Sequence, residues 1–147
     1  MLERCFSPLR DLLERGVVAR AAGGQLAREC IDAAIELVKP GRGADEIARG
    51  WPEAEEYGFY NEMEAFGLQF GHGVGVGLHE RPVISRLNSL DNPVDIEEGM
   101  VFALETYYPG SDGHSAARIE EELVVTADGS DLLTFFPAEE LVVTNPY

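Results

Sequence analysis

The chain has 147 residues, of which 45% are hydrophobic and 26% are charged, and this composition suits one globular domain with a sizeable core. No apolar run approaches the roughly 18 residues that a membrane span needs, and the first residues lack the basic and apolar regions of a secretory signal. We therefore expect a cytoplasmic protein that does not contact membranes.

The acidic residues are unevenly distributed along the chain. The formal net charge is −16, and residues 51–147 carry 19 acidic side chains against 3 basic ones, whereas residues 1–50 carry 8 of each. Such a surface repels phosphate backbones and attracts cations, so we expect no nucleic-acid partner. Adaptation for solubility is the alternative reading of this charge. Cys5 and Cys30 show no C-x-x-C spacing and predict two buried thiols.

The predicted elements place helices before strands. Residues 2–6 have the pattern of a strand end, and Ser7-Pro8 is typical of a helix start. Apolar spacing then predicts a helix from Leu26 to Val38, with shorter helices near Asp45 and after Trp51. Strands are predicted within residues 68–85, 100–108 and 118–126. This order favours an α+β fold in which the early helices cover one face of an antiparallel sheet.

Two of these strands carry carboxylates in apolar surroundings. Alternation places Glu105 on the face of Val101 and Ala103, and it separates Glu120 and Glu122 from Ile119, Leu123 and Val125. Transfer energies indicate that burying an unpaired carboxylate costs on the order of several kcal/mol, so such a carboxylate requires a partner. Few arginines follow residue 50, which favours a divalent cation. The alternative is that Glu105 pairs with Arg118 while Glu120 and Glu122 point to solvent.

A glycine-rich segment at residues 70–82 contains two histidines, His72 and His79. Their odd separation would make them face opposite ways on a regular strand, so we expect them to have different roles and not to share one metal. Imidazole together with carboxylates suits zinc, manganese, cobalt or iron. His114 has no such neighbours and is interpreted as an ordinary surface or core residue.

Three motifs together resemble a known family. They are G-H-G-x-G-x-G-x-H-E-x-P at residues 71–82, E-x-G-M-V-F-x-x-E at 97–105 and A-R-I-E-E-x-x-V-V-T at 117–126. In this order they are similar to the C-terminal part of the pita-bread metallohydrolases, which include methionine aminopeptidase, aminopeptidase P, prolidase and creatinase. The resemblance implies an incomplete pita-bread fold, with helices packed on a curved antiparallel sheet. Residues 1–147 would form one domain, the C-terminal portion of a catalytic domain without its N-terminal strands.

The resemblance also implies roles for individual residues. His72 and Glu105 correspond to metal ligands, and Glu120 corresponds to a carboxylate that bridges two divalent ions. His79 would contact the substrate as a catalytic residue, while Arg118 and Glu80 would support the ligands without binding metal. The implied activity is that of an Xaa-Pro aminopeptidase or prolidase, in which water activated by two metals attacks a peptide or small amide carbonyl. The implied cofactor is manganese, zinc, cobalt or iron.

The sequence departs from the family pattern at several positions. The family site requires two aspartates on earlier strands, and the aspartates before His72 are Asp11, Asp32 and Asp45, which fall on predicted helices or their caps. We therefore expect weak or no metal binding and no activity from this chain alone. Thr106 replaces a common proline and Glu121 a common aspartate, which leaves open an amidinohydrolase or lyase-like branch. A metal-free peptide-binding module and a homodimer are further expectations.

Overall fold

The computed structural model describes residues 24–65, 70–109 and 116–137. Within these ranges helices precede a mainly antiparallel sheet, so the predicted α+β class is confirmed. Several predicted features lie outside the described ranges: the strand end at 2–6, the helix start at Ser7, and the residues Cys5, Asp11 and His114. In the described part of the chain, no helix is long and apolar enough to cross a membrane.

The helical region matches the apolar spacing of the sequence. Helix α1 occupies residues 24–35 of the described chain, and Ala27, Ile31 and Ala34 are buried along one side of it. Gly41 has a φ of 82° in the turn that follows, a conformation that favours glycine. Helix α2 spans Ala44–Gly50, where the Glu46 side chain accepts a hydrogen bond from the Gly43 N–H at 3.1 Å. The predicted helix after Trp51 is a single 3₁₀ turn at Ala54–Tyr57.

Five strands form the main sheet. Their order across the sheet is β2-β1-β3-β6-β7, and all neighbours are antiparallel. A short helix, α3 at Arg86–Ser89, follows β2, and a separate pair joins β4 to β5. The strand bounds are β1 Gly71–Gly73, β2 Glu80–Ile84, β3 Val101–Glu105, β4 Tyr108–Pro109, β5 Ala116–Ala117, β6 Glu120–Val125 and β7 Ser130–Leu132. The motif segments therefore lie on the three central strands and on β2.

The two faces of the sheet differ in composition. One face is apolar and packs with the helices, through a core that contains Ile84, Phe102, Leu104, Leu123 and Val125. Trp51 and Phe70 stack within this core with their ring centroids 4.8 Å apart. We call this side the helix-covered face. Alternation directs Ala103 and Glu105 to the other side of β3, which we call the opposite face.

Candidate metal centre

The register of the central strands brings the predicted ligands to the opposite face. Glu105 lies directly across from Glu120 in the pairing of β3 with β6, and His72 lies across from Ala103 in the pairing of β1 with β3. Residues that face each other across an antiparallel pair share a side of the sheet. His72 and Glu105 are 1% and 5% exposed, whereas Glu120 is exposed at the end of its strand.

The imidazole of His72 lies between two oxygens that only accept hydrogen bonds. The Nε2 atom of His72 lies 3.1 Å from Oε1 of Glu105, and the Nδ1 atom lies 3.0 Å from the carbonyl oxygen of Gly73. A neutral ring donates to only one of them, and when its proton is on Nδ1 the Nε2 atom presents a lone pair to the carboxylate. These two atoms attract each other only if a proton or a cation lies between them.

The prediction that His72 and His79 face apart is wrong. Their ring centroids are 4.2 Å apart, and one ligand atom from each of His72, His79 and Glu105 lies within 4.8 Å of the others. The reason is that β1 ends at Gly73, and the chain turns through residues 74–79 before it returns as β2. The odd spacing argument applies only to one continuous strand. Whether the two imidazoles have different roles stays a prediction.

This group of side chains fits a transition-metal ion. Two imidazoles and a carboxylate are the nitrogen and oxygen donors that zinc, manganese, cobalt and iron accept. The hydrogen bond from Nδ1 of His72 to the Gly73 carbonyl is the kind of contact that orients a metal-binding imidazole. Glu120 lies across the strand pair from Glu105, next to the group.

Arg118 forms an ion pair with Oε2 of Glu105. The side chain of Arg118 is 63% exposed, while that of Glu105 is 6% exposed, so the guanidinium reaches the carboxylate from the solvent side. The alternative expectation of an Arg118–Glu105 pair therefore holds, and Glu105 also contacts His72. Glu105 has one oxygen directed at each neighbour.

The second predicted supporting residue, Glu80, contacts the turn between the histidines. Its Oε1 atom accepts a hydrogen bond from the N–H of Gly77. Glu80 is the first residue of β2 and lies across from Gly73. It therefore belongs to the same hairpin as both histidines.

An interaction that the sequence analysis did not anticipate lies on the helix-covered face. Glu121 is 4% exposed, and its Oε1 atom is 2.6 Å from Nη1 of Arg28 on α1. The Thr134 hydroxyl donates to the other carboxylate oxygen. Strand alternation contained a signal for this burial, because it places Glu121 on the same face as Leu123 and Val125. The partner Arg28 is 93 residues away in the sequence and was not predicted.

The aspartates before His72 do not reach the candidate centre where the structure describes them. Asp32 on α1 pairs with Arg28, and Asp45 on α2 pairs with Arg49 of the same helix. The two strand aspartates that the family resemblance implies are therefore not supplied by Asp32 or Asp45.

Two further titratable groups near the helices are held in their neutral forms. Cys30 is a free and partly buried thiol, and burial raises its pKa. The predicted buried thiol is thus only partly enclosed. Burial also raises the pKa of the Tyr57 phenol far above its ordinary value. Neither group is in the cluster of His72, His79 and Glu105.

Comparisons with known proteins agree with this geometry. The model of metallopeptidase family M24 matches residues 21–127. An Xaa-Pro dipeptidase of Lactobacillus helveticus is 40% identical over 115 residues, which cover 75% of this chain and 28% of that protein.

Solved structures show the same relationship. The dipeptidase PepE of Mycobacterium ulcerans superimposes with a TM-score of 0.64 at 27% identity, over 84% of this chain and 31% of that one. The prolidase of Pyrococcus horikoshii OT3 gives a TM-score of 0.62 at 28% identity, over 80% of this chain and 32% of that one. The chain thus spans about 30% of the length of these relatives, and the predicted pita-bread fold is confirmed. The chain belongs to metallopeptidase family M24.

Proposed function

We propose that this chain is the C-terminal portion of a pita-bread catalytic domain, within residues 1–147, and that it contributes to a hydrolase of the Xaa-Pro dipeptidase and aminopeptidase type. The observation that carries the proposal is the 3.1 Å contact between Nε2 of His72 and Oε1 of Glu105. Both atoms are acceptors when the neutral imidazole carries its proton on Nδ1, and both residues are buried, so a cation between them would remove the repulsion.

In this proposal His72, Glu105 and Glu120 would hold divalent metal. Bound manganese, zinc, cobalt or iron would supply Lewis acidity and lower the pKa of water. Within the chain, Arg118 keeps the second oxygen of Glu105 in place. His79 donates a hydrogen bond to the substrate carbonyl oxygen, and the loss of such a donor typically costs about 2.7–4 kcal/mol of transition-state stabilisation.

A cleft beside β2 is a candidate site for one end of a small peptide substrate. It has a volume of about 550 Å³, and its lining includes Val83, which lies across from His72. Arg81 also lines the cleft and forms no ion pair with the described residues. Its guanidinium is suited to the terminal carboxylate of a dipeptide. The other lining residues are Pro82, Asn88, Asn92, Val94 and Met100.

The test is a titration of the full chain with Mn²⁺ while its thermal unfolding is recorded. A ligand that binds only the folded state stabilises it by about 2.7 kcal/mol at one hundred times its dissociation constant, so we expect a rise in Tm that saturates with metal. Mg²⁺ serves as the control, because imidazole ligands favour the transition metal. No Mn²⁺-specific rise at millimolar metal would contradict the proposal.

We further propose that the chain alone does not turn over Ala-Pro, because Asp32 and Asp45 are committed to helix ion pairs and do not complete the ligand set. Release of proline by the purified chain with Mn²⁺ would contradict this part. We also retain the prediction of a homodimer, which light scattering of the same sample tests.

A metal-free peptide-binding module is the second candidate function. The ion pair of Arg118 with Glu105 favours it, because the guanidinium neutralises the buried carboxylate without metal. This candidate predicts that Ala-Pro binds equally well with EDTA and with Mn²⁺ in calorimetry. Binding that requires Mn²⁺ would exclude it.

A further inference from the structure

The turn at residues 74–79 is closed by one carboxylate. The N–H of Gly77 donates to Oε1 of Glu80, and the N–H of Gly75 donates to the carbonyl oxygen of Gly77 at 3.2 Å. One end of the turn is fixed to the sheet, because the N–H of Val74 donates to the carbonyl oxygen of Val101 at 2.9 Å. The tip itself has little packing, since Val76 and Leu78 are largely exposed. Polar contacts therefore hold this turn in shape.

The glycines of the turn leave space for the Glu80 carboxylate and the start of β2. A Cβ atom at Gly75 would lie 2.5 Å from Oε2 of Glu80, and one at Gly77 would lie 3.2 Å from Oε1. A Cβ atom at Gly73 would lie 2.5 Å from the carbonyl oxygen of Arg81. None of these three glycines has a positive φ, so the reason for glycine is close approach and not backbone conformation. Gly73 approaches backbone that cannot move aside, whereas a side chain at Gly75 or Gly77 would displace the Glu80 carboxylate.

We propose that Glu80 is a positioning residue that closes the 74–79 turn around its own carboxylate and so holds His79 against His72. This inference rests on the proposed function, because its purpose is to shape the metal centre. His79 immediately precedes Glu80, and its ring centroid is 4.2 Å from that of His72. A turn that opened would move His79 away, while His72 would remain fixed within β1.

The experiment compares four variants of the full chain. Glu80→Ala removes the acceptor, whereas Glu80→Gln keeps an oxygen that can accept the Gly77 N–H. Gly75→Ala leaves Glu80 intact but places a methyl group where its carboxylate lies. Glu98→Ala removes an exposed carboxylate from the segment just before β3 and is the matched control.

Two measurements are made on each variant. Calorimetry with Mn²⁺ present gives the apparent dissociation constant for Ala-Pro, and NMR without metal gives the hydrogen-exchange rate of the Gly77 amide. We expect Glu80→Ala and Gly75→Ala to weaken Ala-Pro binding by about tenfold, the effect of losing one hydrogen bond to the substrate, because His79 is then displaced. Both should speed exchange at Gly77. Glu80→Gln and Glu98→Ala should remain close to the parent protein in both measurements.

The outcomes separate this inference from the proposed function. Parent-like Ala-Pro affinity in both Glu80→Ala and Gly75→Ala would overturn the inference and leave the metal site standing. If the parent protein binds no Mn²⁺, the proposed function fails, and the exchange data alone then decide whether Glu80 closes the turn. Equal Gly77 exchange in the parent and in Glu80→Ala would overturn that closure.

Discussion

Two buried carboxylates on neighbouring strands are satisfied in different ways. Glu121, on the helix-covered face, has one oxygen bound by Arg28 and the other by Thr134. Glu105, on the opposite face, has one oxygen on the largely exposed Arg118 and the other against an acceptor atom of His72. The first arrangement is complete with groups of the chain itself. The second arrangement would be stabilised by a cation. Glu121 and Glu105 are therefore similarly buried, but Glu121 is a structural carboxylate and Glu105 is a candidate metal ligand.

The largest expected effect concerns the ligand side of this contrast. His72→Ala and Glu105→Gln should each abolish the Mn²⁺-dependent rise in Tm, because each removes a proposed metal ligand that is buried in the candidate centre. Differential scanning calorimetry with and without Mn²⁺ measures this effect.

The control for these variants is Glu98→Gln, which replaces an exposed carboxylate by an amide, as Glu105→Gln does for a buried one. It should keep the full metal response. If His72→Ala and Glu105→Gln also keep it, metal binds elsewhere and the contrast between Glu105 and Glu121 loses its functional meaning.

The next effect concerns the structural side. Arg28→Met should lower the free energy of unfolding by about 3–5 kcal/mol, since it leaves the Glu121 carboxylate buried without its cation. Urea denaturation measures the loss. The double variant Arg28→Met with Glu121→Gln should recover a large part of it, because the buried charge is then removed as well.

Metal binding separates this variant from the ligand variants. Arg28 lies on the helix-covered face, so Arg28→Met should retain the Mn²⁺ response at temperatures where it is folded. A stability loss below about 1 kcal/mol, the range of an exposed pair, would show that the Arg28–Glu121 contact is a surface ion pair in solution.

The sequence predicted the parts of the fold that depend on local periodicity. The buried side of α1 follows from apolar residues spaced three or four apart. The burial of Glu105 follows from the two-residue alternation of β3. The motifs predicted Glu105 and Glu120 as metal ligands, which stays a prediction. The meeting of His72 with His79 was missed because an irregular turn interrupts the alternation that the argument assumed.

Contacts between distant segments were beyond the reach of such patterns. Alternation indicates that Glu121 faces the core, yet nothing local indicates that the cation comes from α1. The shortage of basic residues after residue 50 indicated that no arginine would pair with this carboxylate. Arg28 lies in the first 50 residues, where acidic and basic side chains are equal in number. A partner that the fold brings from 93 residues away requires the tertiary structure.

A smaller effect contrasts two arginines. Arg81 lines the cleft beside β2, so Arg81→Gln should weaken binding of Ala-Pro by about tenfold, as expected for the loss of a charged hydrogen bond, and leave stability almost unchanged. Calorimetry of Ala-Pro with metal present measures this change. Arg49→Gln, which alters an exposed arginine on α2, is the control and should bind like the parent. Equal binding by Arg81→Gln would remove Arg81 from the proposed substrate site.

The smallest effect tests whether Glu121 and its two partners act as one unit. Thr134→Val removes the hydroxyl that donates to Glu121 and accepts the Glu122 N–H at 3.0 Å, and should cost about 1–2 kcal/mol in urea denaturation. Thr134→Ser keeps the hydroxyl and should cost less. Because Arg28 and Thr134 contact the same carboxylate, their combined effect should differ from the sum by about 0.5 kcal/mol or more. Strict additivity would mean that the two contacts stabilise the sheet independently, and that Glu121 is satisfied by solvent on one side.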